Sequence, residues 1–260
     1  MQANKKEPTM SALGLSLIAF ACIFGTTLLS MFVRGALPEH HLNSDSRDAI
    51  RLSMGVIGTM SALVLGLLIA SAKSSFDAKN SQVKQITANV ILLDQLLVQY
   101  GPEAHDTRVL LRRSIASMAD KIWSEGDQPA TATGSFVVSA EAETFLNSVL
   151  NLKPQTDSQR SAQARAIKTL TDLAQTRLLL YTQSGNEIPL PFLVLLVFWL
   201  AIIFASFSLF VSPNSIVVFA FFVCAFSASG ALFLIFELDR PFTGLMSVSD
   251  TALRQALAPL

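Results

Sequence analysis

Four stretches of the chain, residues 11–33, 52–72, 188–211 and 214–236, contain no charged side chain. A helix rises ~1.5 Å per residue, so about 20 apolar residues cross the hydrocarbon core of a bilayer. All four stretches reach that length. A charge at mid-helix costs ~3 kcal/mol on insertion scales, and none is present in these runs. The pattern predicts an all-α integral membrane protein with four transmembrane helices. Lys5 and Lys6 precede the first run as they would in a secretory signal. The run is too long for a signal core, however, and no small-x-small cleavage site follows it. It is expected to be a retained membrane helix.

Between the second and third runs the pattern becomes amphipathic. Val83, Ile86, Val90, Leu93, Leu97 and Tyr100 alternate spacings of three and four, a heptad-type stripe. No Pro or Gly separates the stripe from the second run, so helix two is expected to continue to Tyr100, where Gly101 and Pro102 stop it. Further helices are expected over 103–124 (Leu111, Ile115, Met118 and Ile122 on one face), 139–150 (Phe145 and Val149, with Leu152 beyond) and 157–182. The last would bury Ile167, Leu170, Ala174, Leu178 and Tyr181 and be capped by Thr156 or Asp157. Residues 126–134 read as a loop, and Phe136, Val137 and Val138 are too few for a strand. Residues 34–51 read as an irregular connection. Ser212, Pro213 and Asn214 form a tight turn that makes helices three and four a hairpin. Past residue 236, Ser249 or Asp250 can cap a short helix with Ala252, Leu253, Ala256, Leu257 and Leu260 on its apolar side, lying on the membrane or docked under the soluble domain. The organisation expected is a transmembrane pair (1–72), a cytoplasmic helical domain inserted between helices two and three (73–187), a transmembrane hairpin (188–236) and a cytoplasmic tail (237–260).

Charge sets the orientation. The chain of 260 residues has 19 basic and 19 acidic side chains, which excludes a strongly basic nucleic-acid binder, so no nucleic-acid partner is expected. Lys5, Lys6, Lys73, Lys79, Lys84 and Arg240 lie near the membrane on the side of the termini; Arg34, Arg47 and Arg51 lie on the other, offset by Glu39, Asp45 and Asp48. The positive-inside rule places termini and soluble domain in the cytoplasm. Cys22 and Cys224 both fall within apolar runs and are expected to be buried thiols, with no disulfide or zinc pattern.

Two features carry candidate function. On helix two, Gly58, Ala62, Gly66 and Ala70 recur every four residues. Small residues at that spacing let membrane helices approach closely, either within one subunit or between copies around an axis. The opposite face, Ser53, Ile57, Met60, Val64, Leu67 and Ser71, is apolar with hydroxyls near both ends. It could line a constriction that gates by dewetting, or face lipid. Coupled transporters need ionisable groups inside the membrane; their absence here points to a passive pore or a structural assembly. The second feature follows helix four, where residues 237–244 read Glu-Leu-Asp-Arg-Pro-Phe-Thr-Gly. Pro241 must end the helix. Arg240 can meet a lipid phosphate or an anion, and Glu237 and Arg240, three apart, could pair on one helix face; a helix end with snorkelling charges and a turn is the plainer reading. Glu39, His40 and His41 are too few to close a metal shell, and His105 sits among ordinary polar residues. No nucleophile elbow, phosphate loop or metalloprotease motif occurs, so neither enzymatic activity nor a cofactor is expected.

Two stretches resemble a known family. Helix two with its exit, from Arg51, Leu52 and Ser53 through Gly66 to Ser75, Phe76 and Asp77, is similar to the first half of the bestrophin-like proteins of bacteria. The segment Glu237, Leu238, Asp239, Arg240, Pro241, Phe242, Thr243, Gly244, with Val248 and Ser249, resembles that family's closing motif. The layout covers nearly the whole chain. The resemblance implies distant kinship to bestrophin anion channels, a homo-oligomer (a pentamer, in bestrophins) with helix two lining the pore, and a multi-pass protein of the bacterial inner membrane whose partners are lipid and small inorganic ions. The aromatic-rich neck and acidic calcium-binding run of animal bestrophins have no counterpart here, so selectivity and calcium gating do not carry over. The expectation is an oligomeric, passive ion channel. The competing readings are a non-conducting scaffold or adaptor acting through its cytoplasmic bundle, and a membrane enzyme or lipid-handling protein using the Arg240 region.

Overall fold

The computed structural model describes residues 11–34, 44–124, 140–183, 190–211 and 214–256, and these are mostly helical with no strand among them. The helices are α1 (Ala12–Arg34), α2 (Ser44–Tyr100), a 3₁₀ turn (Pro102–Ala104), α3 (His105–Ser124), α4 (Ala140–Leu150), α5 (Asp157–Gln183), α6 (Leu190–Leu209), α7 (Ser215–Leu238) and α8 (Thr251–Gln255). Four of them, α1, α2, α6 and α7, are long and apolar enough to cross a membrane. The expectations placed on Lys5, Lys6, Glu39, His40, His41, residues 126–134, Phe136 to Val138, Ser212, Pro213, Leu257 and Leu260, and on the side chains of Asp45, Arg47 and Tyr181, lie outside the described residues.

The chain divides into two compact units, residues 1–74 with 188–239 and residues 75–187 with 240–260. In the first unit α1 packs against both α6 and α7. Ile23, Leu196 and Leu232 are fully buried. Three hydroxyls tie the helices together: Ser30 Oγ donates to the Ala205 carbonyl (2.6 Å), Ser208 Oγ to the Thr27 carbonyl (3.2 Å) and Ser229 Oγ to the Ser16 carbonyl (2.6 Å). In hydrocarbon a hydroxyl has no water to turn to, so it bonds across helices at about 0.6 kcal/mol each. Phe20 and Phe24 of α1 meet the edge of Phe222 of α7 at 5.5 and 5.6 Å. The outer faces are apolar, as a lipid solvent requires, with Phe32 and Ile216 largely exposed. Cys22 and Cys224 are exposed on this surface rather than buried. An apolar run places a residue in the membrane, not inside the protein.

In the second unit the whole predicted stripe, Val83, Ile86, Val90, Leu93, Leu97 and Tyr100, is buried, together with Leu111, Ile115, Met118 and Ile122 of α3 and Phe145 and Val149 of α4. Gly101 ends α2 at φ +122°, a conformation in which a Cβ is strained; the Tyr100 carbonyl is taken up by Gln159 Nε2 at 3.1 Å. Thr156 and Gln159 form a reciprocal cap at the start of α5: Thr156 Oγ1 accepts the Gln159 amide, and Gln159 Oε1 accepts the Thr156 amide.

Two further expectations need correction. α2 begins at Ser44, so residues 44–51 are helical rather than irregular. Asp48 and Arg51, one turn apart, form an exposed pair at 3.8 Å that fits a helix extension. The buried face of α5 is Ala162, Ala166, Thr169, Leu173 and Leu180, with Ile167 and Leu170 half-buried and Ala174 and Leu178 exposed. Ala162 and Ala166 let α5 come close to the core, so the packed face is rotated from the one that its larger aliphatics mark.

Candidate functional site

The membrane part of α2 turns Ser61, Leu68 and Ala72 inward, while Leu52, Val56, Met60, Leu63 and Leu67 are more than half exposed. Within one chain only 11% of its apolar window is buried, against 28% for α1 and 17% for each of α6 and α7. The candidate pore face is split by this rotation. Ser53, Met60, Leu67 and Ser71 are exposed; Ile57 and Val64, beside Ser61 on the inward side, are half-buried. Ser53 Oγ donates to the Ala49 carbonyl of its own helix at 2.9 Å, so that hydroxyl is already satisfied in part.

Among the described residues, the small-residue stripe is largely uncovered in the single chain. Ala62, Gly66 and Ala70 are exposed and Gly58 is half-buried. A Cβ built on Gly58 or Gly66 has no heavy atom within 4 Å. Among the described residues, no helix packs closely on Gly58 or Gly66.

The segment after α7 is more structured than a frayed helix end. α7 stops at Leu238, so Arg240 lies beyond the helix rather than on a shared face with Glu237. Glu237 and Pro241 are buried, while Asp239 and Arg240 are half-exposed. The Pro241 carbonyl accepts the Val248 amide at 2.7 Å, closing a loop in which Gly244 adopts φ +107°. Beyond the loop the tail docks on α3 within the second unit. Leu253 of α8 is 1% exposed and belongs to that unit's core. Trp123 Nε1 donates to the Val248 carbonyl at 2.9 Å, and its ring meets Phe242 edge-on at 5.7 Å. Arg254 pairs with Asp120 and Asp250, whose hydrogen bonds hold its guanidinium pKa above the ordinary value. Of the two cap candidates, Ser249 acts: its hydroxyl accepts the Thr251 amide at 3.1 Å, whereas Asp250 makes no side-chain cap.

A Bestrophin-like domain model matches residues 21–253, from within α1 to within α8. The chain belongs to the bestrophin-like family. No curated protein and no solved structure matches it. The bestrophin-like match covers the second half of α1, the other three membrane helices and the 237–244 motif, and with those helices it makes this a membrane protein.

Sequence reasoning missed two arrangements. Arg108 grips Asp94 with two bonds of 2.9 Å, Nε to Oδ1 and Nη2 to Oδ2, and the bond to Asp94 raises the guanidinium pKa despite partial burial. Both residues lie seven positions from Gly101, and residues equidistant from the turn of an antiparallel helical hairpin meet; that symmetry was available in the sequence. The docking of the tail by Trp123 had no such signal, because it joins segments 125 residues apart.

Proposed function

We propose that this bestrophin-like protein assembles into a closed ring of copies in the bacterial inner membrane, with α2 facing the axis and providing a passive path for small ions. The observation that carries the reading is the bareness of α2. It is the least covered of the four membrane helices, and its small-residue stripe stands open where a second helix backbone can approach. The absence of charges from the four apolar runs fits passive conduction rather than proton-coupled transport. In this reading the exposed Met60 and Leu67 line the constriction, and Gly58, Ala62, Gly66 and Ala70 pack against the neighbouring copy. Residues 73–187 and the tail are taken as cytoplasmic from the basic residues that flank the membrane on that side.

An adaptor acting through the heptad stripe finds less support, because that stripe is consumed in the core of its own unit.

The test is ion flux from liposomes containing Met60→Cys or Leu67→Cys, before and after reaction with a charged thiol reagent, in a background with Cys22 and Cys224 replaced by Ser. Block of flux at these positions supports the reading, and flux indifferent to both modifications refutes the assignment of the axis. Gly66→Leu separates assembly from folding. It meets open space in the single chain, so the subunit is expected to fold while the oligomer breaks down; an oligomer of unchanged size counts against the interface.

A further inference from the structure

We propose that the loop closed between Pro241 and Val248 is a membrane-interface anchor, with Leu245 and Met246 inserted among lipid headgroups and upper acyl chains. The loop is held by the Val248 amide on the Pro241 carbonyl (2.7 Å) and the Thr243 amide on the Arg240 carbonyl (3.4 Å). Its apolar residues point two ways. Phe242 is half-buried against Trp123. After the left-handed turn at Gly244, Leu245 is 81% exposed and Met246 45%. Leu245 is the most exposed large apolar side chain of its unit among the described residues.

Continuity with the membrane selects the occupant. The apolar run that crosses the bilayer ends at Phe236, nine residues before Leu245. Even fully extended, that chain spans no more than about 30 Å, and the closed loop shortens it. A protein partner is a poorer match, since two side chains fall far short of the ~800 Å² per partner that a stable interface buries. Shallow insertion of a few apolar residues at the headgroup boundary is how interfacial segments hold a membrane. The inference rests on α7 crossing the bilayer and is independent of conduction along α2.

The experiment uses the full chain in liposomes, with Cys22→Ser and Cys224→Ser, and a bimane label on Leu245→Cys or, as a second site, Met246→Cys. The reference label is on Asp157→Cys, whose native side chain is 97% exposed. Lipids carrying a shallow nitroxide are expected to quench the loop label about threefold more than the reference label, since interfacial segments sit only ~5–10 Å deep, while aqueous iodide quenches it less. Equal iodide quenching at the loop and reference positions, with no effect of the nitroxide lipid, overturns the proposal. So does efficient disulfide cross-linking between copies of the unlabelled Leu245→Cys chain, which would make the loop a subunit contact.

Discussion

Replacing Leu253 by Ala should undock the tail from α3. The helix that carries Leu253 has only five residues, far below the ~12 that an isolated helix needs in water, so α8 exists because it is docked. Three contacts hold it and its approach. The Trp123–Val248 hydrogen bond contributes about 1 kcal/mol. The edge-on Trp123–Phe242 pair adds roughly 0.5–1.5 kcal/mol. Leu253, 1% exposed, is the largest: truncation of a buried Leu to Ala costs ~2–5 kcal/mol, as much as the other two together. Arg254 bonds to Asp120 and Asp250 on the exposed surface, where ion pairs are weak and salt-screened. Trp123 reports the outcome, since release of the tail removes both its hydrogen-bond acceptor and its ring partner. In the full chain with Trp199→Phe, Leu253→Ala is expected to move Trp123 emission to the red and to expose the tail to limited proteolysis, while Arg254→Gln leaves both nearly unchanged. Native-like emission and protease resistance in Leu253→Ala would refute this ranking; so would undocking by Arg254→Gln alone.

Asp94→Ala leaves the Arg108 guanidinium without its bidentate acceptor, at 22% exposure; a cost of about 2 kcal/mol is expected, seen as a lowered unfolding midpoint in detergent and relieved in part by Arg108→Leu in the same chain. Gly101→Ala forces a Cβ into φ +122°, with Glu103 Oε2 2.8 Å away. The Glu103 side chain can swing aside but the backbone strain remains, so a loss of roughly 1–2 kcal/mol is expected that Glu103→Ala does not rescue. Burial first, and the Glu103 carboxylate second, hold the Tyr100 hydroxyl pKa above its ordinary 10.0. The folded state thus favours the neutral phenol, and this contribution is complete below pH 10.0 and lost as pH rises through the raised value. Absorbance titration should show one of the two tyrosines ionising late, and Tyr100→Phe should remove that component.

Helix positions were legible where one physical rule dominates. Uncharged runs gave the four membrane helices, because insertion energy leaves little alternative. The stripe from Val83 to Tyr100 and the stop at Gly101 were legible because spacing and a left-handed glycine act locally. Ala162 and Ala166 were not, since an alanine on an amphipathic helix carries no mark of which side it packs on. The exposure of Cys22 and Cys224 was misread for a related reason: in a membrane the hydrophobic pattern does not separate inside from outside. The rotation of α2 that splits Ile57 and Val64 from Met60 and Leu67 likewise comes from tertiary contacts alone. The tail's two roles, Leu253 turned in and Leu245 turned out, depend on loop closure by Pro241 and Val248, which no local periodicity encodes.

In the proposed ring, α2 is bare in one chain because other copies cover it. The mass of the intact complex extracted directly into nanodiscs tests it most directly. A single closed assembly of several copies, lost in Gly66→Leu, is the predicted result. A wild-type complex that stays a monomer or dimer across protein concentrations would contradict it.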